Sequence, residues 1–239
     1  MDYFNTFLAN VIPIDLLELL AAIAGSYYIR KKGNVEKVDH YLVSFLWLTF
    51  FIEIIGSYVA VAYFSNYTYF EFIKDTVFDD NSWLYNIYTP ISFVFFVYYF
   101  RSYLSSKISR DILKISIILF IIASTLNLIF SDTFFTTVSV FSTLTGTIIL
   151  VLAIFLFYFE LLNSDKLLSL KYYLPIYISI GALVFNLCIT PLDFFLQYFN
   201  PDNDLFVIIS TKMMLYTNIF MYSTYILGFI ICSKKKKSY

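Results

Sequence analysis

The sequence predicts an all-α polytopic membrane protein, a seven-helix bundle with its N-terminus outside and its C-terminus in the cytoplasm. Three observations carry that expectation. Of 239 residues, 60% are hydrophobic, 22% aromatic and only 14% charged, against roughly 25% charged in soluble domains. The apolar residues gather in seven stretches, about 11–29, 41–64, 83–100, 113–131, 134–160, 172–198 and 205–232, each near the ~20 residues that cross ~30 Å of hydrocarbon. Backbone amides cannot go unpaired in lipid, and the stretches lack the alternation of outer-membrane strands, so helices are the spanning structure expected. The third observation is charge. Arg30, Lys31, Lys32 and Lys37, then Arg101, Lys107, Arg110 and Lys114, then Lys166 and Lys171, and Lys234 to Lys237 all fall on alternate connections. The other connections hold Glu71, Asp75, Asp79, Asp80, Asp132, Asp202 and Asp204, with Lys74 as their one cation. The positive-inside rule therefore sets the orientation, and a net charge of -1 conceals it.

Taken in order, the first stretch includes "PIDLLELLAAIAG", which is apolar but carries Asp15 and Glu18 one turn apart. The preceding "MDYFNTFLAN" lacks the basic start of a cleavable signal, so this helix is expected to stay. The second stretch follows "RKKGNVEKVDH" and carries Glu53. After it, residues 65–82 are rich in aromatics and are expected to lie on the membrane surface. The third and sixth stretches contain Pro90 and Pro191, where a helix can bend. The fifth has Thr145, Gly146 and Thr147 together, and the seventh ends in the basic tail "SKKKKSY", read as a topology anchor. Cys188 and Cys232 fall within or at the end of helices and are read as packing residues. The chain is thus one transmembrane domain, 1–239, with no soluble module.

Counted at 1.5 Å per residue from the cytoplasmic edges, Glu18, Glu53 and Asp15 lie roughly 16 to 21 Å deep. Asn86, Asn127, Asn186, Asn218 and the threonines around Gly146 fall at about 20 Å. Periodicity supports inward faces: Asp15, Glu18, Ala22 and Gly25 share one stripe, as do Thr49, Glu53, Gly56 and Ala60, and Ser179, Ala182, Asn186, Thr190 and Asp193. Small and polar seams face other helices, not lipid. For the asparagines the plain role is interhelical hydrogen bonding. A charged Asp or Glu near the bilayer centre costs at least ~2.5 kcal/mol, and no basic residue lies at that depth. The acids therefore either carry protons or are neutralised by a small cation. Lys212 comes out at the level of Asp193, which admits an interhelical ion pair or simple snorkelling of the lysine.

The combination "LLELLAAIAG", "YNIYTPISFVFFVYYF" and "FELLNSDK" resembles a family of small, uncharacterised seven-helix proteins of the inner, cytoplasmic membrane of Bacteroidota. The resemblance runs over nearly the whole chain and implies location and topology, with no activity, cofactor or catalytic residue to carry over. A likeness to microbial rhodopsins fails on the residues: the lysine is shallow, position 208 is Ile, and "WLYNIYTP" lacks the Arg and Asp pair.

Catalysis is not expected. The single His40 leaves paired-histidine zinc sites and Ser/His hydrolysis without their residues, and there is no P-loop, GxGxxG, Gly-x-Gly-Asp or Cys/His cluster. No metal site, cofactor or nucleic-acid partner is predicted; the basic clusters are topological. The leading expectation is a non-enzymatic, receptor-like transducer or membrane subunit with a carboxylate-lined pocket in the outer half of the bundle. Its partners would be the lipid bilayer, a proton or small cation, and a cytoplasmic or membrane protein reached through the short basic loops. One alternative is a transporter of three helices, a linker helix and three more, similar to the SWEET and PQ-loop families in plan. "HYLVSFLWLTFF" matches "KYYLPIYISIGA" in hydropathy, though the chain has no Pro-Gln pair. A scaffold subunit without ligand is the second alternative.

Overall fold

The computed structural model describes residues 2–196 and 204–234. Asp202, Lys235 to Lys237 and the end of the sixth stretch at 197–198 lie outside the described residues. The described residues are mostly helical, with no strand among them. The helices are α1 (Asp2–Lys32), α2 (Lys37–Gly56), α3 (Tyr58–Phe64), α4 (Ser82–Tyr103), α5 (Lys107–Phe130), α6 (Val140–Leu162), α7 (Leu174–Leu196) and α8 (Asp204–Cys232). Six spans are long and apolar enough to cross a membrane: α1, the α2 and α3 pair, and α5 to α8. α4 is the seventh long helix, its hydropathy lowered by tyrosines, serines and Arg101. The chain is therefore a helical membrane protein by length and composition.

Several bounds differ from the sequence expectation, each for a local reason. The fifth stretch does not start at 134: Ser139 accepts the Ser142 N–H (3.3 Å) and caps α6, leaving 131–138 as a turn. α5 starts well before 113, because Ser106 caps it through the Ser109 N–H (3.3 Å). Glu160 at the end of α6 also accepts the Ser105 N–H (2.6 Å), favoured by the positive end of a helix dipole. The second stretch is interrupted at Ser57, which separates α2 from α3. Residues 165–172 form a 3-10 helix before α7. The 65–81 connection is ordered, with a 3-10 turn at Glu71–Ile73. It is tied down by Tyr58, whose hydroxyl donates to the Phe78 carbonyl (2.7 Å) and accepts from the Trp83 indole N–H (3.1 Å).

α1 packs on α2 and α8, α8 on α7, α7 on α6, α6 on α4, and α4 on α2. These contacts close a ring of α1, α2, α4, α6, α7 and α8. α5 stands outside it, packed against α4 and α6. Inside lie Leu42, Val97, Phe100, Leu150, Ile154 and Phe229, all essentially buried. The outward faces are apolar too, with Leu16, Phe51, Ile118, Phe155 and Leu227 exposed, as expected where hydrocarbon replaces water. Glycine permits the closest approach: Gly146 of α6 lies directly on the ring of Phe93 of α4, leaving no room for a methyl group. Gly146→Ala is expected to cost about 1–3 kcal/mol by overpacking, measured as the shift in unfolding midpoint in detergent. An unchanged midpoint would mean that Phe93 swings aside freely.

The seams read from the sequence do face other helices. Ala22 is fully buried, and Gly25 lies against Val43 and Phe229. On α7, Ser179 bonds Tyr158 of α6 (2.7 Å) and Thr190 bonds Thr147 (2.7 Å). α2 and α4 run antiparallel and meet through long tyrosines. Thr49 bonds the Tyr88 hydroxyl (2.6 Å), Tyr85 donates to Glu53 (2.7 Å), and Tyr99 donates to Asp39 (3.1 Å).

Candidate functional site

Three acids from α1 and α2 come together near the acidic end of the ring. The i, i+3 spacing puts Asp15 and Glu18 on one side of α1. Glu53 sits one turn before the Ser57 interruption in α2. Glu18 feels the charges of Glu53 and Asp15, and Glu53 that of Asp15, and among the described residues no cation acts on any of the three. Glu53 accepts from the Tyr85 hydroxyl at 2.7 Å. Gly56 makes that bond possible: the Tyr85 hydroxyl occupies the place where a methyl group at position 56 would be. Two further bonds hold the interruption. Ser57 Oγ donates to the Glu53 carbonyl (3.0 Å) and Asn81 Nδ2 to the Gly56 carbonyl (3.0 Å).

Asp15 and Glu53 line an open cavity of ≈ 490 Å³ between α1, the α2 and α3 pair and the 65–81 segment. Its walls include Phe7, Val11, Tyr63 and Phe64, and its rim includes Tyr67 and Asp79. Phe7 packs on Phe64 with ring centroids 5.3 Å apart, joining α1 to α3. Tyr67 is held at φ 61, a left-handed conformation costly for an aromatic residue. There its hydroxyl donates to Asp79 (2.6 Å), and that bond pushes the Tyr67 phenol above its ordinary range.

Glu18 is not part of the wall. It is 3% exposed, with Oε1 accepting from Tyr222 of α8 at 2.8 Å and Oε2 without a hydrogen-bond partner. Tyr222→Phe would leave both carboxyl oxygens unpaired and is expected to cost about 1–2 kcal/mol. Adding Glu18→Leu should recover part of that loss, because a buried polar group without a partner costs more than an apolar pair. Unfolding midpoints of the two variants check it; a double variant weaker than Tyr222→Phe alone would contradict the assignment.

The four asparagines do not join the cavity. Asn86 is 1% exposed and saturated. Its Nδ2 contacts the carbonyls of Thr133 (3.2 Å), Phe134 (3.0 Å) and Thr137 (2.9 Å), and its Oδ1 accepts the Ser139 N–H (2.7 Å). Asn127 accepts from Ser139 Oγ (2.8 Å) at the same turn. Asn186 and Asn218 donate to carbonyls of their own helices, Ala182 (2.8 Å) and Met214 (2.9 Å). Matching depth therefore did not mean one shared space. The ion pair considered for Asp193 and Lys212 does not form: Lys212 is exposed, and Asp193, half-buried, has no cation beside it among the described residues. Neither cysteine is in a disulfide.

Sequence reasoning passed over a second acid. Asp39, at the start of α2, is 2% exposed. It accepts from Tyr103 (2.6 Å), Tyr99 (3.1 Å) and Tyr28 (3.2 Å), and Lys32 reaches the Tyr28 hydroxyl at 3.1 Å. A signal for it exists. Tyr85, Tyr88, Ser92, Tyr99 and Tyr103 fall on one stripe of α4, so a run of hydroxyls had to meet acceptors on a neighbouring helix.

Fold and site together define an all-helical bundle, with six helical spans long and apolar enough to cross a membrane and an acid-and-aromatic cleft at one end of a closed ring. Comparison with protein-family models, curated proteins and solved structures finds no match.

Proposed function

We propose that the chain is a non-enzymatic seven-helix protein of the cell inner membrane, a receptor-like transducer or membrane subunit that binds a small positively charged ligand in the cleft. One observation supports this reading: Asp15 and Glu53 line a cavity open at the acidic end, and among the described residues no Lys or Arg lines it, the nearby Lys74 standing over the ring of Tyr67 at 5.7 Å. Among the described residues, eleven of the thirteen Lys and Arg belong to the other end, and the positive-inside rule makes that end cytoplasmic. The cleft then faces outside. Short basic loops leave signalling to a partner chain.

The test is thermal stability of the purified protein across a panel of inorganic and organic cations. Cation-dependent stabilisation that disappears in Asp15→Asn with Glu53→Gln supports the reading. A response identical in the variant and the wild type overturns it.

The transporter reading draws support from the packing of α5 outside the ring, where a linker between α1, α2, α4 and α6, α7, α8 would stand. It requires cation uptake into proteoliposomes, which a receptor would not give.

A further inference from the structure

The cleft orders its chemistry along its depth. α1 runs from the acidic end inward and contributes Phe7, Val11 and Asp15 to the wall, spaced four apart and so on one stripe. Asp15 is eight residues deeper than Phe7, roughly 12 Å at 1.5 Å per residue. The opposite wall repeats the order in reverse, with Glu53 deep and Tyr63 and Phe64 towards the mouth. Carboxylates thus hold the deep end and apolar and aromatic groups the middle. At the rim stands a third carboxylate, Asp79, with one oxygen taken by Tyr67 at 2.6 Å and the other left for a ligand, while the Lys74 ammonium lies over the Tyr67 ring at 5.7 Å.

This sequence of acid, apolar wall and acid does not suit a metal ion. A hard cation needs several oxygens at about 2.0–2.6 Å, and among the described residues no three Asp, Glu, His or Cys side chains gather closely enough to hold one. Glu53 also gives one oxygen to Tyr85. An organic ammonium makes different demands: N–H donors find Asp15 and Glu53, methylenes find Phe7, Val11 and Phe64, and aromatic faces attract the cation further. The volume, ≈ 490 Å³, falls within the ~300–1,000 Å³ of small-molecule sites.

We propose that the cleft takes an extended aliphatic polyamine, a chain with an ammonium group at each end. One ammonium sits between Asp15 and Glu53, the methylenes lie along Phe7 and Phe64, and the second ammonium meets Asp79 at the rim. The inference rests on the reading of the cleft as a cation site and adds the ligand's class and length.

The experiment compares 1,8-diaminooctane, octylamine, 1,2-diaminoethane, 1,8-octanediol, Na⁺ and Mg²⁺ by calorimetric titration of the full chain in lipid nanodiscs. The long diamine should bind at least tenfold more tightly than octylamine or the short diamine, with no detectable binding of the diol. Asp79→Asn, on an ordered surface segment, should reduce the diamine to the affinity of octylamine and leave octylamine unchanged. Asp15→Asn should weaken both amines. Equal binding of octylamine and the long diamine, or no effect of Asp79→Asn, overturns the polyamine inference and leaves the cation-site reading standing. Binding of inorganic cations alone does the same. If Asp15→Asn with Glu53→Gln binds every probe as the wild type does, both fall.

Discussion

Asp39→Ala should be among the most damaging single substitutions in the chain, lowering stability by about 3–5 kcal/mol. Three tyrosine hydroxyls from two helices converge on this one carboxyl group. Its removal strands Tyr28 and Tyr99 in the buried interior and Tyr103 in a half-buried position, and each unpaired buried donor costs about 1–3 kcal/mol. Removing the acid also removes its own burial penalty, which keeps the total below the simple sum. Asp39→Asn retains one carbonyl oxygen for Tyr99 and Tyr103 and should lose only about 1–2 kcal/mol. Unfolding midpoints in a mild detergent titrated with a denaturing one give the order wild type, Asn, Ala. An Ala variant as stable as wild type would mean that the cluster contributes nothing to holding α1, α2 and α4 together.

The second large effect concerns Asn86. Replacement by Leu keeps the volume but removes the amide that contacts three carbonyls and accepts one N–H in the turn between α5 and α6. The Ser139 N–H sits at the N-cap of α6, and Ser139 is itself 2% exposed. A loss of about 2–4 kcal/mol is expected, with faster hydrogen exchange confined to residues 131–142. Exchange rising evenly through the bundle would instead place Asn86 in the general packing and not at the turn.

Much of the architecture was legible because lipid and backbone leave few choices. The length of each apolar stretch located its helix, and the small-residue stripes on α1, α2 and α7 identified the faces that meet other helices. Stretch ends were harder to read, because hydropathy does not respond to a single cap: Ser106 and Ser139 set the starts of α5 and α6, and both are small polar residues beside apolar runs. The site was read in part. Asp15, Glu18 and Glu53 stood out by charge alone, and the fold brings them together. Depth did not reveal direction, so Asn86 and Asn127 were grouped with acids they never approach. Asp39 escaped notice because it lies beside Lys37 and His40, where an acid looks like ordinary surface charge. Its three donors come from positions 28, 99 and 103, and only the packing of α4 on α2 brings them to it.

The Glu18 to Tyr222 bond spans 204 positions, and the seam of α1 on α8 that surrounds it has the same reach. Synthesis makes α1 and α2 long before α8, so Glu18 stays unmatched until α8 is made. Contacts of such long separation form late, after the cost of closing the intervening loop has been met. Until then the incomplete bundle exposes an acid-bearing face, the kind of species that invites mispairing or capture by quality-control factors. Shortening the chain before α8 should therefore yield a product that is degraded instead of one that folds with a helix missing.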